Sequence, residues 1–296
     1  MTDTLELEPT LRPTAETALR AWSDLVAANR EQIERLRESK PGADFYRPRA
    51  QQFRPGRVEA SDLDWVLDHA RPEDTWLDIG AGGGRIAVPA AQRVAAVHAV
   101  EPSEAMREVM ASSSESAGLE NLKVHAQRWP PEDGDNIPMA DVSVASHVLY
   151  DQQDLEGFLG AMEAHTRRTC IVVIGDRAPS GAFEPLWSDL YDEPPHLLPA
   201  RRELLAVLGA LDRPFEVRTL PRAAREPVEA EDARQWARWL YWLEAGSDRD
   251  QRAMELVTEH FGMEDGRFAL PTRISYVSVV SWPSGGAISI QSAATG

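Results

Sequence analysis

A short apolar strand that runs straight into a glycine-rich loop is the feature of this sequence that most restricts its fold. Residues 75–79 read Thr-Trp-Leu-Asp-Ile and residues 80–84 read Gly-Ala-Gly-Gly-Gly, after which a helical stretch begins. Glycines in such a loop allow a sharp turn and let a ligand approach the backbone without meeting a β-carbon. The segment therefore predicts a nucleotide-like ligand at the carboxyl end of a strand in an α/β fold.

Short apolar strands alternate with helical patterns through the central part of the chain. The predicted strands cover residues 75–79, 94–100, 122–126, 141–146 and 169–174. Helical patterns lie between them at residues 85–93, 103–117 and 155–167. Strict alternation of this kind is typical of right-handed crossovers on a parallel sheet. The central part is therefore predicted to be a doubly wound, Rossmann-like sheet.

Further elements flank this central part. Apolar residues at helical spacing predict N-terminal helices at residues 14–38 and from Ser61 onward. Two more strands are predicted at residues 215–220 and 273–282, with a helical insert at residues 229–262 between them. The last two strands are expected to close the sheet as an antiparallel pair, which brings it to seven strands.

Three acidic or basic positions select among nucleotide ligands. A dinucleotide-binding loop needs its third glycine at position 85, where this chain has Arg85. Asp78 stands two residues before the first glycine, where a carboxylate would repel a pyrophosphate but attract a ligand with an ammonium and a sulfonium. Glu101 ends the second strand and can accept hydrogen bonds from both ribose hydroxyls. These residues favour S-adenosylmethionine (SAM) over NAD.

Three segments in this order and spacing resemble the class I SAM-dependent methyltransferases. They are Leu-Asp-Ile-Gly-Ala-Gly-Gly-Gly-Arg at 77–85, Ala-Val-Glu-Pro-Ser at 99–103 and Ala-Asp-Val-Ser-Val-Ala-Ser-His-Val-Leu-Tyr at 140–150. The resemblance covers about residues 60 to 175. It implies a seven-stranded sheet with the last strand antiparallel, SAM as the cofactor, and in-line transfer of its methyl group to an acceptor.

The resemblance also divides the chain into four parts. It implies a SAM-binding methyltransferase domain at residues 73–283 that includes the helical insert. N-terminal helices occupy residues 13–72, and the stretches 1–12 and 284–296 are expected to be flexible ends because they lack periodic apolar residues.

Carried over position by position, the resemblance implies a set of cofactor contacts. The loop would lie against the methionine part of SAM, Asp78 near its amino group and Glu101 on the ribose. Where the family often has an Asp after the third strand, this chain has Gln127, whose amide can also contact adenine, and Trp129 either borders the base or packs in the core. The expected cofactor-binding residues are Asp78, Gly80, Ala81, Gly82, Glu101, Pro102, Met106, Gln127, Arg128, Trp129 and Ser146.

The end of the fourth strand supplies the candidate catalytic residues, His147 and Tyr150. His147 has the intrinsic pKa range of a general base, and structural hydrogen bonding at the strand end is the alternative. The acceptor side would be covered by the His196 region and by the insert. The insert aromatics Trp236, Trp239, Tyr241 and Trp242 do not share one helical stripe, so the insert should contact protein on more than one side. An aromatic lid suits a small apolar or aromatic acceptor, whereas a cap core packed on itself is the alternative.

The composition of the chain limits the partners and metals that the protein can be expected to bind. The chain has 31 Lys plus Arg against 48 Asp plus Glu, a net charge of -17 that would repel nucleic acid. The arginines at 47, 49, 54 and 57 are expected on a solvated, carboxylate-paired surface. Cys170 is the only cysteine, and the His, Asp and Glu residues show no metal-ligand spacing, so no metal is expected.

The N-terminus lacks the pattern of a signal peptide and no stretch has the length of a membrane span, which favours a cytoplasmic protein. A small-molecule methyltransferase is the leading hypothesis. A methyltransferase acting on protein or RNA and a SAM-binding protein without turnover are the alternatives.

Overall fold

The computed structural model describes residues 13–40, 42, 44–56, 61–132, 137–179, 184–222, 226–270 and 275–285. The stretch 1–12, expected to be a flexible end, lies outside these residues, as does the predicted tail 284–296 apart from its first two positions. Throughout the described ranges, every helix is too short or too polar to span a bilayer.

The strands form one seven-stranded sheet within the described residues, in the order β3-β2-β1-β4-β5-β7-β6. Their bounds are β1 Thr75–Ile79, β2 Ala96–Val100, β3 Leu122–His125, β4 Ala140–Ser146, β5 Thr166–Gly175, β6 Glu216–Pro221 and β7 Tyr276–Pro283. Strands β1 to β5 pair in parallel, whereas β7 runs antiparallel to both β5 and β6. The predicted doubly wound sheet with an antiparallel last strand is confirmed.

Helices cover both faces of this sheet. They are α1 Ala15–Leu36, α2 Ser61–Leu67, α3 Ala87–Ala91, α4 Glu104–Ser116, α5 Leu155–Ala164, α6 Glu184–Tyr191, α7 Arg201–Ala210, α8 Ala230–Tyr241 and α9 Asp248–Phe261. Helix α1 buries Trp22 and Val26 on one face beside α5 and α7. Helix α2 buries Val66 and Leu67 on the other face with α3. The N-terminal helices therefore belong to the same core as the sheet.

Several predicted boundaries differ from the structure. Helix α5 ends at Ala164 and β5 already begins at Thr166, whereas the sequence pattern extends the helix to residue 167. The buried hydroxyl of Thr166 donates to the Met162 carbonyl and accepts from Ser143 Oγ of β4, both at 2.6 Å, and these bonds fix the change of direction. The helix α6 and a 3-10 helix at Arg47–Phe53 are not predicted from the sequence.

The predicted helical insert consists of two helices, α8 and α9. Trp242 adopts a left-handed conformation with φ 55° and ends α8. Arg238 of α8 then pairs with Asp250 of α9 through two hydrogen bonds of 2.7 Å, which hold the helices together. With α6 they form an apolar cluster of their own, here called the cap. This packing matches the alternative of a cap core packed on itself.

Candidate functional site

The glycine loop follows β1 and is held against the end of β2. Gly80 has φ 68° and Gly82 has φ 54°, a left-handed conformation that side chains other than glycine rarely adopt. The Gly80 and Ala81 N–H groups donate to the Val100 carbonyl at 2.9 and 3.1 Å. A β-carbon on Gly80 would clash with Cγ1 of Val148, so the segment that follows β4 also approaches the loop closely. The loop is thus a rigid cradle at the junction of β1, β2 and β4.

Asp78 lies at the end of β1, directly before this cradle, with one carboxyl oxygen left without a partner. The residue is 2% exposed, and its Oδ2 atom has no hydrogen-bond partner among the described residues. Burial raises the pKa of Asp78 to about 7, against the opposing effects of Arg85 and of the Ala87 N–H. A buried, unpaired carboxyl is costly, and a ligand ammonium would satisfy it.

Glu101 joins the loop to the start of α4. One carboxyl oxygen accepts from the Gly82 N–H and the other from the Ser103 N–H, both at 2.8 Å. Burial raises the pKa of Glu101, while these two backbone hydrogen bonds oppose the rise. A carboxylate has about four acceptor positions, so it retains capacity for ribose hydroxyls. Asp78, the loop and Glu101 are therefore brought together at one sheet edge, as predicted.

A segment that the sequence does not single out covers this edge. Residues 44–56, here called the strap, contain the 3-10 helix. The Asp44 carboxylate accepts from Ser103 Oγ at 2.8 Å and from the Ala105 N–H at 2.9 Å, at the start of α4. At the other end, a β-carbon on Gly83 would lie 2.5 Å from the carbonyl oxygen of Phe53. Gly83 is thus needed for the strap to approach the loop.

Tyr46 of the strap lies near the acidic residues of the site. Burial of its hydroxyl raises the pKa of Tyr46 to about 12, and the charges of Asp151 and Glu101 add to the rise. The residue as a whole is 38% exposed. Its ring meets Phe45 and Phe53 edge to face within the strap, and the charge of Glu101 reaches its hydroxyl. Only its tertiary position reveals it, since the surrounding residues have no motif.

The strap also contacts the cap. Phe45 stacks on Trp239 and Trp242 with ring centroids 5.0 and 5.1 Å apart. The Arg49 guanidinium lies 4.2 Å from the Trp236 ring centroid and is 6% exposed, so the prediction of a solvated surface is wrong for this arginine. The stacking removes it from water. For Arg47 that prediction is confirmed, because it pairs with Glu104 at 2.5 Å.

The positions expected around adenine have different environments. Met106 is buried against Ala50 of the strap and Pro102 is exposed. Gln127 has a buried Nε2 atom without a hydrogen-bond partner in the described part of the chain, which suits a ligand contact, and Arg128 is exposed. Trp129 packs in the core.

Trp129 packs against α5. Its ring meets Phe158 and His165 edge to face, and its indole N–H donates to the Phe158 carbonyl at 3.3 Å. These contacts match the packing alternative, and a contact with adenine stays a prediction.

The end of β4 carries a hydrogen-bonded polar group. His147 has φ 59°, and its Nδ1 atom lies 2.9 Å from the Tyr150 hydroxyl, which accepts from the Gly175 N–H at 2.7 Å. Ser146 Oγ accepts from Arg85 at 2.8 Å, and Arg85 also pairs with Asp62 at 2.9 Å. A non-glycine residue in this conformation is strained, which is frequent at functional sites.

The surroundings of His147 keep its ring neutral. Burial, followed by the charges of Arg85 and Arg222, lowers the pKa of His147 to about 3. With the Tyr150 O–H as the donor to Nδ1 of the neutral ring, the imidazole proton is assigned to Nε2. His147 thus makes the structural hydrogen bond that was the alternative to a role as general base. Without a bound ligand, its imidazole is a weak base.

Residues 29–262, most of the chain, match the family described as Methyltransferase domain. The chain belongs to this family. The sheet order, the glycine loop and the acid at the end of β2 are those of the class I SAM-dependent methyltransferases, whose cofactor is SAM. The buried Oδ2 of Asp78 and the open cradle fit the ammonium and methionine parts of that cofactor.

Solved structures with similar folds include two from Bacillus. The YcgJ protein of Bacillus subtilis is 15% identical, with a TM-score of 0.51 over 76% of this chain and 98% of the other. A putative methyltransferase of Bacillus halodurans is 14% identical, with a TM-score of 0.52 over 76% and 99%. A protein of Haemophilus influenzae is 34% identical over 87 residues, which are 29% of this chain and 32% of the relative. The alignment thus spans about a third of that relative.

Proposed function

We propose that this methyltransferase transfers the methyl group of SAM to a small-molecule acceptor. The observation that carries the proposal is the buried Asp78 oxygen without a partner, placed directly before a glycine cradle whose far side is formed by Glu101. A ligand with an ammonium at one end and a ribose some distance away is complementary to this arrangement of carboxyl groups.

Each part of the site has a role in this proposal. Asp78 holds the amino group, the backbone of residues 80–82 lies along the methionine part, Glu101 binds the ribose and the Gln127 amide contacts adenine. Bound SAM supplies an electrophilic methyl group on a positively charged sulfur. The protein then accelerates transfer by aligning the acceptor and excluding water, and the strap with Tyr46 covers the edge where this occurs.

The covering of the site favours a small acceptor. The strap lies over the cofactor edge and stacks through Phe45 on cap aromatics, so the space for an acceptor is bounded by two elements. The net charge of -17 opposes a polyanionic acceptor. In this arrangement His147 is neutral, and its Nε2–H orients the acceptor as a hydrogen-bond donor, with Tyr150 holding the imidazole in place.

Isothermal titration of the purified protein with SAM and S-adenosylhomocysteine (SAH) tests the proposal. We expect both ligands to bind, NADH to fail, and Glu101→Ala to weaken SAH binding by at least about tenfold, roughly 1.4 kcal/mol. Glu120→Ala removes an exposed acid beyond α4 and is the matched control, with unchanged affinity. Absence of binding by both sulfur ligands, or tighter binding of NADH, would contradict the proposal.

A further inference from the structure

The end of β6 brings a second arginine to the edge of the sheet that carries His147 and Tyr150. Pro221 is the last residue of β6 and pairs with Tyr276 of β7, and the Arg222 N–H donates to the Ser275 carbonyl at 2.9 Å. Since β7 is antiparallel to β5 and β6, the strands β4, β5 and β6 all run in one direction. Their carboxyl ends therefore lie at the same edge, where ligands bind in open α/β sheets.

Arg222 is only partly exposed, and its guanidinium has no ion pair or hydrogen bond among the described residues. The carboxylate that acts on it is Asp62, which already pairs with Arg85 at 2.9 Å. The charge of Asp62 thus acts on two guanidinium groups but forms an ion pair with only one of them. Burial and the nearby Arg85 charge lower the pKa of Arg222, and both arginines lower the pKa of His147.

This excess of positive charge stands out in a chain whose net charge is -17. A partly buried charge without a partner destabilises the folded protein. Its presence at the edge of a site therefore points to a ligand of opposite charge. Guanidinium groups suit carboxylates and phosphates because their planar N–H donors match two oxygens at once.

We propose that the methyl acceptor carries an anionic oxygen group, a carboxylate or a phosphate, which binds Arg222. The inference rests on the proposed function and assigns the substrate class of that site. Arg85 adds to the positive potential, and the Nε2–H of His147 is a further donor. The cofactor carboxylate is the competing partner, and the SAH affinity of the Arg222 variant distinguishes the two.

The test uses the full chain saturated with SAH in chloride buffer of low ionic strength, where screening is weak. Benzoate, inorganic phosphate and neutral benzamide are titrated calorimetrically into the wild type, Arg222→Gln and Arg218→Gln. Arg218 lies on the same strand, half exposed, and pairs with Asp68 at 3.8 Å, so its substitution is a matched loss of charge.

We expect benzoate or phosphate to bind the wild type at least about tenfold more tightly than benzamide, a difference of roughly 1.4 kcal/mol. Arg222→Gln should lose that preference, whereas Arg218→Gln should keep it, and SAH affinity should be the same in all three proteins. Preferential binding of benzoate would assign a carboxylate acceptor, and preferential binding of phosphate a phosphorylated one.

Three results would overturn the inference. The first is that neither anion binds the SAH complex. The second is that the anions bind Arg222→Gln as tightly as the wild type. The third is that Arg222→Gln weakens SAH binding, which would identify the cofactor carboxylate as the partner of Arg222. Failure of SAH to bind the wild type in the first titration would instead overturn the proposed function, and the inference with it.

Discussion

Among single residues, Asp78 makes the clearest prediction about ligand binding. Its pKa of about 7 in the free protein lies above the ordinary value of 3.8, so the carboxyl is mostly protonated below neutral pH. A ligand ammonium favours the ionised carboxylate, and binding therefore releases a proton. SAH affinity should rise by roughly tenfold between about pH 6 and about pH 7.5 and then level off. Calorimetry in buffers of different ionisation enthalpy measures both the affinity and the released proton.

The variant Asp78→Asn provides the control for this pH dependence. It keeps the shape of the side chain but has no proton to release, so its SAH affinity should be weak and nearly independent of pH over the same range. An equal slope in both proteins would assign the released proton to another group. Glu101, whose pKa burial also raises, would then be the first to test, as Glu101→Gln.

The residues of the site differ in how far the sequence predicts them. Asp78 and Glu101 follow from local spacing, because each stands at a fixed distance from the loop or from a strand end. Asp44 and Arg222 reach the site from segments far along the chain, and nothing local to them indicates it. For His147 the sequence supplies only an intrinsic pKa near neutrality, whereas burial and two arginines lower that pKa to about 3.

Among the elements, the strap is held at both ends by contacts that can be tested separately. Gly83→Ala places a β-carbon 2.5 Å from the Phe53 carbonyl oxygen, and backbone cannot move aside as a flexible side chain would. We expect a loss of about 1–3 kcal/mol in free energy of unfolding. We also expect faster tryptic cleavage after Arg49, which is buried in the folded strap, and weaker SAH binding, measured by denaturant titration, timed proteolysis and calorimetry.

Gly160→Ala is the matched control for this substitution. Gly160 lies in α5 with nothing within 4 Å of its missing β-carbon, so alanine should stabilise the helix by about 0.5–1 kcal/mol and leave proteolysis of the strap unchanged. Slow cleavage after Arg49 and unchanged SAH affinity in Gly83→Ala would show that the strap does not depend on this contact.

The regular elements are predicted well because their apolar periodicity is strong. Strand β1 has the predicted bounds, and α2 begins at Ser61 as predicted. The strap and α6 are not predicted, since long-range contacts hold them in place. Asp44 binds the start of α4, and Arg49 stacks on Trp236, contacts that no short window of sequence contains.

At the scale of the whole molecule, the strap connects the sheet with the cap. The cap packs around its own apolar cluster, and the sheet has its cores on both faces. The strap touches α4 through Asp44 and the cap through Phe45, so the cofactor edge and the cap are physically joined. Sequence alternation predicts the sheet but not this connection, because the order of strands does not specify how a nearby loop is covered.

A crystal structure of the SAH complex tests the central claim most directly. The account predicts that the amino group of SAH lies within hydrogen-bond distance of Asp78 Oδ2, that the ribose hydroxyls contact Glu101, and that the strap closes over the ligand. The account would be contradicted by SAH bound away from the β1–β2 edge, or by SAH at that edge with no contact to either carboxylate.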